Sequence, residues 1–119
     1  MENELYKLSF FVNASHMVNI NGKLSSKHPH TFEIVCYIKS KGFVAFEEME
    51  NNINQILNQL NNHYLNELDA FKEKNPTLEN ISRLLFKVIG INLESIRCNL
   101  VRIEVSESPV RSFVIDNQK

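Results

Sequence analysis

The sequence predicts an α+β domain in which a four-stranded antiparallel sheet carries two helices on one face. Two segments near the start of the chain and two near its end alternate apolar and polar residues, as strands with one buried face do. Between them, apolar residues recur at helical spacing in two segments. The predicted order is therefore β-β-α-α-β-β, within one domain that covers residues 1–119.

Residues 5–16 and residues 28–40 are the first two predicted strands. Both alternate apolar and polar side chains, and the stretch between them is polar and contains Asn21-Gly22. A hairpin-like connection of this kind brings the end of one strand beside the start of the next.

The two helices follow from a change in the spacing of apolar residues. The first is predicted from Phe46 to Asn61, where apolar residues recur every three or four positions. Thr77 is the predicted N-cap of the second helix, because threonine hydroxyls accept hydrogen bonds from the first helical N–H groups. The second helix is expected to end near Gly90.

The last two strands are predicted over residues 94–106 and 110–115. The apolar positions change parity near Leu100, which predicts a β-bulge or a strong twist there. Beyond this change, Glu107 falls on the apolar face. Since burying an unpaired charge is costly, Glu107 is expected to have a partner. A solvated strand end is the alternative interpretation of this residue.

Composition excludes several classes of function. A net charge of -1, spread along the sequence, argues against a nucleic-acid partner. The start of the chain is acidic and polar, unlike a signal peptide, and no apolar run is long enough to cross a bilayer. Cys36 and Cys98 lie in apolar strand-like segments and are interpreted as reduced core residues. These features predict a soluble, cytoplasmic protein.

Three of the four histidines fall at the meeting ends of the first two strands. His16 ends the apolar face of the first strand, and His28 and His30 begin the apolar face of the second. Neutral imidazole is the usual nitrogen ligand of zinc, and three protein ligands leave a fourth position open. The arrangement therefore predicts a zinc site, with ordinary loop histidines as the alternative.

Six short motifs, in a fixed order along nearly the whole chain, carry a resemblance to a known family. They are Ala14-Ser15-His16, His28-Pro29-His30, Gly42-Phe43-Val44-Ala45-Phe46, Leu60-Asn61-Asn62-His63-Tyr64-Leu65-Asn66, Asn75-Pro76-Thr77 with Glu79, and Val105-Ser106-Glu107-Ser108. In these motifs the chain resembles the 6-pyruvoyl tetrahydropterin synthase and 6-carboxytetrahydropterin synthase family, which has the tunnelling fold.

The resemblance implies a ligand set and an assembly. A zinc ion is implied at His16, His28 and His30, and a pterin-like ring is implied at Glu107, since a carboxylate can accept two parallel N–H bonds from a guanidine-type edge. Family members form trimers that pair into hexamers, closing their sheets into a barrel with sites between subunits. A homo-oligomer, trimer or hexamer, is therefore expected, and open sheet edges give a physical reason for it.

The chain departs from the family at the positions of proton transfer. Leu24 stands where the family has a catalytic cysteine, and Asn61 and Asn62 stand where it has an Asp-His relay. Pro29 and Ala45 replace a glycine and an aspartate of the motifs. Leucine has no proton to transfer and amides do not titrate near neutral pH. No catalytic residue is therefore assigned, and the family's lyase activity on dihydroneopterin triphosphate is expected to be impaired.

Three functions remain open from the sequence. The favoured one is a zinc-dependent protein that binds a pterin-type ligand with impaired catalysis. The second is an active divergent enzyme that uses Ser25, Ser26 or His63 as its base, although His63 is better interpreted as a helix-end histidine that bonds nearby backbone. The third is a structural oligomer in which zinc only pins the hairpin.

Overall fold

Four long strands form one antiparallel sheet, and two helices cover one of its faces, as the sequence predicts. The structure is a computed structural model that describes residues 2–117. The strands are β1 (Tyr6–His16), β2 (Asn19–Ile20), β3 (Lys23–Leu24), β4 (His28–Ser40), β5 (His63–Tyr64), β6 (Cys98–Ser108) and β7 (Arg111–Asp116). The helices are α1 (Phe46–Leu57) and α2 (Leu78–Glu94), with short 3-10 turns at Leu65–Glu67 and Asp69–Phe71 between them.

The main sheet has the strand order β5-β1-β4-β6-β7. The prediction of four antiparallel strands is thus confirmed for β1, β4, β6 and β7, and a fifth strand is added that the sequence did not indicate. This strand, β5, has two residues and runs parallel to β1, with His63 opposite Ala14. The register of β1 and β4 sets His16 directly opposite His28.

The predicted irregularity near Leu100 is a β-bulge. Tyr37 of β4 pairs with Arg102 of β6, and the next β4 residue, Ile38, pairs with Leu100, so Val101 is the extra residue. A bulge changes which face the following side chains occupy. This explains why the apolar positions of β6 change parity in the sequence.

The second helix is longer than predicted. Thr77 caps its start through the side-chain oxygen, as expected, but the helix continues past Gly90 to Glu94. Glycine inside a helix costs about 1 kcal/mol relative to alanine. Ile89 and Leu93 are both fully buried on the same helical face, one on each side of the glycine. Burial of these two side chains outweighs the cost of the glycine. Helix propensity alone does not include this burial.

The first helix is shorter than predicted, because it ends at Leu57 rather than Asn61. The residues after it form a turn in which Asn62 has a φ of 63°. Asparagine tolerates this left-handed conformation better than most residues do. The turn directs the chain back to β1, where β5 pairs with it.

The polar stretch between β1 and β4 forms a small hairpin of β2 and β3. Asn21 and Gly22 have φ values of 54° and 83°, and both of these are the positive values that a two-residue hairpin turn needs. The Asn-Gly pair was the available signal for this hairpin. The ribbon leaves Ile20 and Leu24 more than 60% exposed, at 63% and 62%.

The core lies between the sheet and the two helices and includes both cysteines. Cys36 and Cys98 are free thiols with no exposed surface, in agreement with the sequence interpretation. Burial raises the pKa of the Cys36 thiol to about 12, so this side chain stays protonated and acts as a small apolar residue. Within residues 2–117, neither helix is long and apolar enough to cross a membrane.

Candidate functional site

The three predicted histidines converge at the end of the sheet where β1 meets β4. The ring centroid of His16 lies 4.5 Å from that of His28 and 5.0 Å from that of His30, and the latter two are 4.8 Å apart. One nitrogen of each ring can be chosen so that all three atoms lie within 4.8 Å of one another. This geometry can hold a metal ion.

Hydrogen bonds to backbone carbonyls fix two of these rings. Nδ1 of His16 donates to the carbonyl of Pro76 at 2.8 Å, and Nδ1 of His28 donates to the carbonyl of Ser26 at 2.8 Å. A carbonyl oxygen only accepts, so in both rings Nδ1 carries a proton, and in a neutral ring the lone pair is then on Nε2. Histidine ligands of metals commonly have their other ring nitrogen held in this way.

The environment of His16 fits a metal ligand. The side chain is 2% exposed, and its Nε2 has no hydrogen-bond partner among the residues that the structure describes. Burial lowers the pKa of His16, while the hydrogen bond to Pro76 opposes this shift, so the neutral ring is favoured. A buried polar atom without a partner is costly, and a metal ion would satisfy it.

Glu107 lies on the same face of the sheet as the histidines. The pairing of β6 with β7 changes register between Ser106 and Ser108, so Glu107 is the extra residue of a second irregularity. Its side chain is half-buried, and its negative charge raises the pKa of His16, which opposes the effect of burial. The carboxylate of Glu107 therefore lies close enough to the cluster for its charge to act on His16.

The positions that correspond to the family's relay are occupied in structural hydrogen bonds. The N–H of Asn13 on β1 donates to Oδ1 of Asn61 at 2.9 Å, and the N–H of Asn62 donates to the carbonyl of Asn13. The two asparagines therefore hold the turn after α1 against β1. Leu24, at the position of the family's cysteine, lies on the exposed ribbon of β2 and β3.

The two serines beside Leu24 are also occupied by the local fold. The hydroxyl of Ser25 accepts from the N–H of Val18 at 2.9 Å and donates to the carbonyl of Ser26 at 3.1 Å. Ser26 reaches the histidine cluster through its carbonyl, which accepts from His28, rather than through its hydroxyl. The hydroxyl of Ser25 therefore has both a donor and an acceptor within the local backbone.

A cavity of about 590 Å³ lies where β1, β4 and β5 meet, and His30 and His63 both line it. His63 is in the two-residue strand β5 rather than at a helix end, which corrects its expected location. Its backbone N–H donates to the carbonyl of Leu60 at 3.1 Å. Lys27 and Tyr64 also line the cavity, with the ammonium group 4.4 Å from the ring centroid. Sequence reasoning missed both residues, because only the short parallel pairing of β5 brings them together.

The chain belongs to the 6-pyruvoyl tetrahydropterin synthase family, whose sequence profile matches residues 4–118. The match covers the histidine cluster, the asparagine turn and Glu107 together, as the motifs indicated. Among curated proteins, none matches the sequence.

Solved structures share the fold at low sequence identity. The 6-pyruvoyl tetrahydropterin synthase of Caenorhabditis elegans is similar with a TM-score of 0.77 and 15% identity, over 97% of this chain and 96% of that one. The enzyme of Plasmodium falciparum gives 0.66 and 16%, over 95% and 98%. An uncharacterised protein of Wolinella succinogenes gives 0.72 and 14%, over 98% and 100%. These likenesses establish the tunnelling fold.

Proposed function

We propose that this protein binds zinc through His16, His28 and His30 and binds a pterin-type ligand beside it, with the family's lyase activity impaired. The observation that carries the proposal is the buried Nε2 of His16, which lies in a cluster of three histidines and has no hydrogen-bond partner among residues 2–117. Zinc favours such nitrogen ligands, and when bound at three of them it acidifies a water or polarises an oxygen of the ligand.

Glu107 is proposed to anchor the ring of the ligand. A carboxylate at the rim of a half-buried site can accept two parallel N–H bonds from an amino-substituted ring, and such charge-assisted pairs are strong and directional. Its position on the histidine face supports this role, since the ring and the metal would then share one site.

Impaired catalysis is proposed because the positions that transfer protons in the family have side chains that do not do so here. Asn61 and Asn62 carry amides, which do not titrate near neutral pH, and Leu24 has no acid–base group. The hydroxyl of Ser25 is already engaged with the backbone of Val18 and Ser26. A positioned acid or base commonly contributes about 10²–10⁴-fold to the rate of a reaction. Loss of these groups therefore predicts slow turnover even where the ligand binds well.

An active divergent enzyme is the second candidate, and one observation favours it. His63 and the metal-binding His30 line the same cavity, together with Asn62. An imidazole titrates near neutral pH and is the commonest general base in enzymes. The structure offers no comparable argument for Ser25 or Ser26.

Assembly into a trimer or hexamer is proposed from the edges of the sheet. β1 and β7 are the outer long strands, and β5 covers β1 only at Ala14 and Ser15. Phe11 on β1 is 67% exposed and Val114 on β7 is 41% exposed, both on the helix-free face. Pairing β1 of one copy with β7 of the next would cover these side chains and both open edges.

Native mass spectrometry of the protein purified from cells tests the proposal as a whole. We expect zinc at one ion per chain, a pterin-type small molecule and a trimer or hexamer. A cytoplasmic source is also proposed, in keeping with the two free thiols. A metal-free monomer would contradict the zinc, ligand and assembly proposals together.

A further inference from the structure

Two asparagine side chains form hydrogen bonds with the backbone that follows His16, as a neighbouring strand would. Oδ1 of Asn66 accepts from the N–H of Met17 at 2.9 Å, while its Nδ2 donates to the carbonyl of Met17 at 3.0 Å. Asn75 binds Asn19 in the same way, at 2.9 Å and 2.6 Å. A primary amide has both donors and an acceptor, so it can pair with both backbone groups of one residue.

These asparagines lie beside both partners of the hydrogen bond that orients His16. Asn66 holds Met17, which directly follows the histidine, and Asn75 directly precedes Pro76, whose carbonyl accepts from Nδ1 of His16. The carbonyl of Asn75 in turn accepts from Nδ2 of Asn80 in α2 at 2.8 Å. The donor and the acceptor of the His16–Pro76 bond are therefore each next to a residue in a two-point amide contact.

We propose that Asn66 and Asn75 are positioning residues of the metal centre. They hold His16 and the carbonyl of Pro76 so that Nε2, rather than Nδ1, faces the other two histidines. The inference rests on the proposed metal site, but it concerns residues that do not themselves bind the metal. Loss of groups that orient histidine ligands typically weakens metal binding by about 10–100-fold.

A purely structural role for these side chains would give a different result, and the chain offers a matched control. Nδ2 of Asn52 donates to the carbonyl of Asn92 at 3.1 Å, and Nδ2 of Asn92 donates to the carbonyl of Asn52 at 2.9 Å. Asn52 and Asn66 are thus both amides that bond backbone away from solvent, Asn52 buried and Asn66 half-buried, but Asn52 joins α1 to α2. Removal of either is expected to lower the melting temperature of the protein, since each loses hydrogen bonds to the backbone.

The experiment measures zinc affinity of the full-length protein by competition with a chromophoric chelator. The variants are Asn66→Ala, Asn75→Ala, Asn52→Ala and His16→Ala, each assayed at a temperature where circular dichroism shows it to be folded. We expect the zinc Kd to rise about 10–100-fold in Asn66→Ala and Asn75→Ala. We expect it to be unchanged in Asn52→Ala, although this variant melts at a lower temperature than the wild type.

A more conservative variant separates an effect on zinc binding from an effect of misfolding. Asn75→Asp keeps an acceptor for the N–H of Asn19 and loses the donor, so an intermediate zinc Kd is expected. The visible absorption of bound Co²⁺ should change in Asn75→Ala and not in Asn52→Ala, since it reports the geometry of the ligands.

Three results would overturn the inference, and they are distinguishable. Wild-type zinc affinity in both Asn66→Ala and Asn75→Ala would remove the positioning role, while loss of zinc in His16→Ala would leave the metal site standing. Equal weakening in Asn52→Ala would show a general effect of stability instead. A wild-type protein that binds no zinc would overturn the metal site and the inference together.

Discussion

The histidine cluster and the turn after α1 both place polar groups beside β1, but they differ in whether those groups have hydrogen-bond partners. In the cluster, Nε2 of His16 is buried and has no partner within residues 2–117. In the turn, Oδ1 of Asn61 accepts from the N–H of Asn13, and the backbone N–H of Asn62 donates to the carbonyl of Asn13. A buried lone pair without a partner is kept at a cost in stability, whereas a group committed to the backbone is not available for proton transfer. Under the proposed function, the cluster would serve to bind the metal, and the turn would serve to hold the chain against β1.

The largest effect is expected from removal of two cluster histidines. The double variant His28→Ala/His30→Ala leaves one ligand, which cannot hold zinc in a tetrahedral site. Metal analysis after purification should show zinc near one ion per chain in the wild type and none in the variant. His63→Ala is the control, because His63 lies outside the cluster, and it should retain zinc. Zinc bound by the double variant would assign the metal to other residues.

A gain of activity is expected when the turn and the ribbon regain acid–base groups. The triple variant Leu24→Cys/Asn61→Asp/Asn62→His should exceed the wild type in turnover of dihydroneopterin triphosphate by about 10²-fold or more. The aspartate keeps an acceptor for the N–H of Asn13, but histidine at position 62 must adopt a φ of 63°, which limits the gain. A triple alanine variant at the same positions is the control. Equal activity in both would show that these positions do not limit the rate.

Loss of the carboxylate beside the cluster should weaken binding of a pterin. A hydrogen bond to a charged group contributes about 1.5–3 kcal/mol, so Glu107→Ala should raise the Kd of a pterin by about 10–100-fold in calorimetry. Glu104→Ala is the matched control, because Glu104 pairs with Arg102 at 2.9 Å, and it should bind as the wild type does. Equal losses in the two variants would place the ring elsewhere.

Acid should destabilise the metal-free protein through His16. Burial lowers the pKa of this group from its ordinary value of 6.5, so the unfolded chain takes up the proton first as the pH falls. The contribution of the neutral His16 ring to the free energy of unfolding is therefore fully present above pH 6.5. It is lost progressively as the pH falls below this value. Urea unfolding of the wild type should show this loss, and His16→Ala should show less of it. An identical pH dependence in the two proteins would contradict the assignment.

The sequence predicts the fold well where one face of an element is buried. The phase of His16, His28 and His30 with apolar neighbours placed all three at one end of the sheet, and the parity change near Leu100 located the bulge. Such patterns are local and depend only on side-chain alternation.

What the sequence did not show depends on contacts between distant segments. The carbonyl of Pro76 orients His16 from sixty positions away, and the pairing of β5 brings Tyr64 beside Lys27. Backbone carbonyls have no sequence signature, and a two-residue strand has no period to detect. The motif Asn75-Pro76-Thr77 was visible, but its role in holding His16 follows only from the packed structure.

The central claim is that this protein binds the family's ligand set without the family's proton transfer, and one assay tests it most directly. Zinc-loaded wild-type protein is incubated with dihydroneopterin triphosphate, binding is followed by calorimetry and the substrate is quantified by chromatography. We expect zinc-dependent binding with the substrate recovered unchanged. Conversion at an ordinary enzymatic rate, of the order of 1 s⁻¹ or faster, would contradict the claim and favour catalysis through His63.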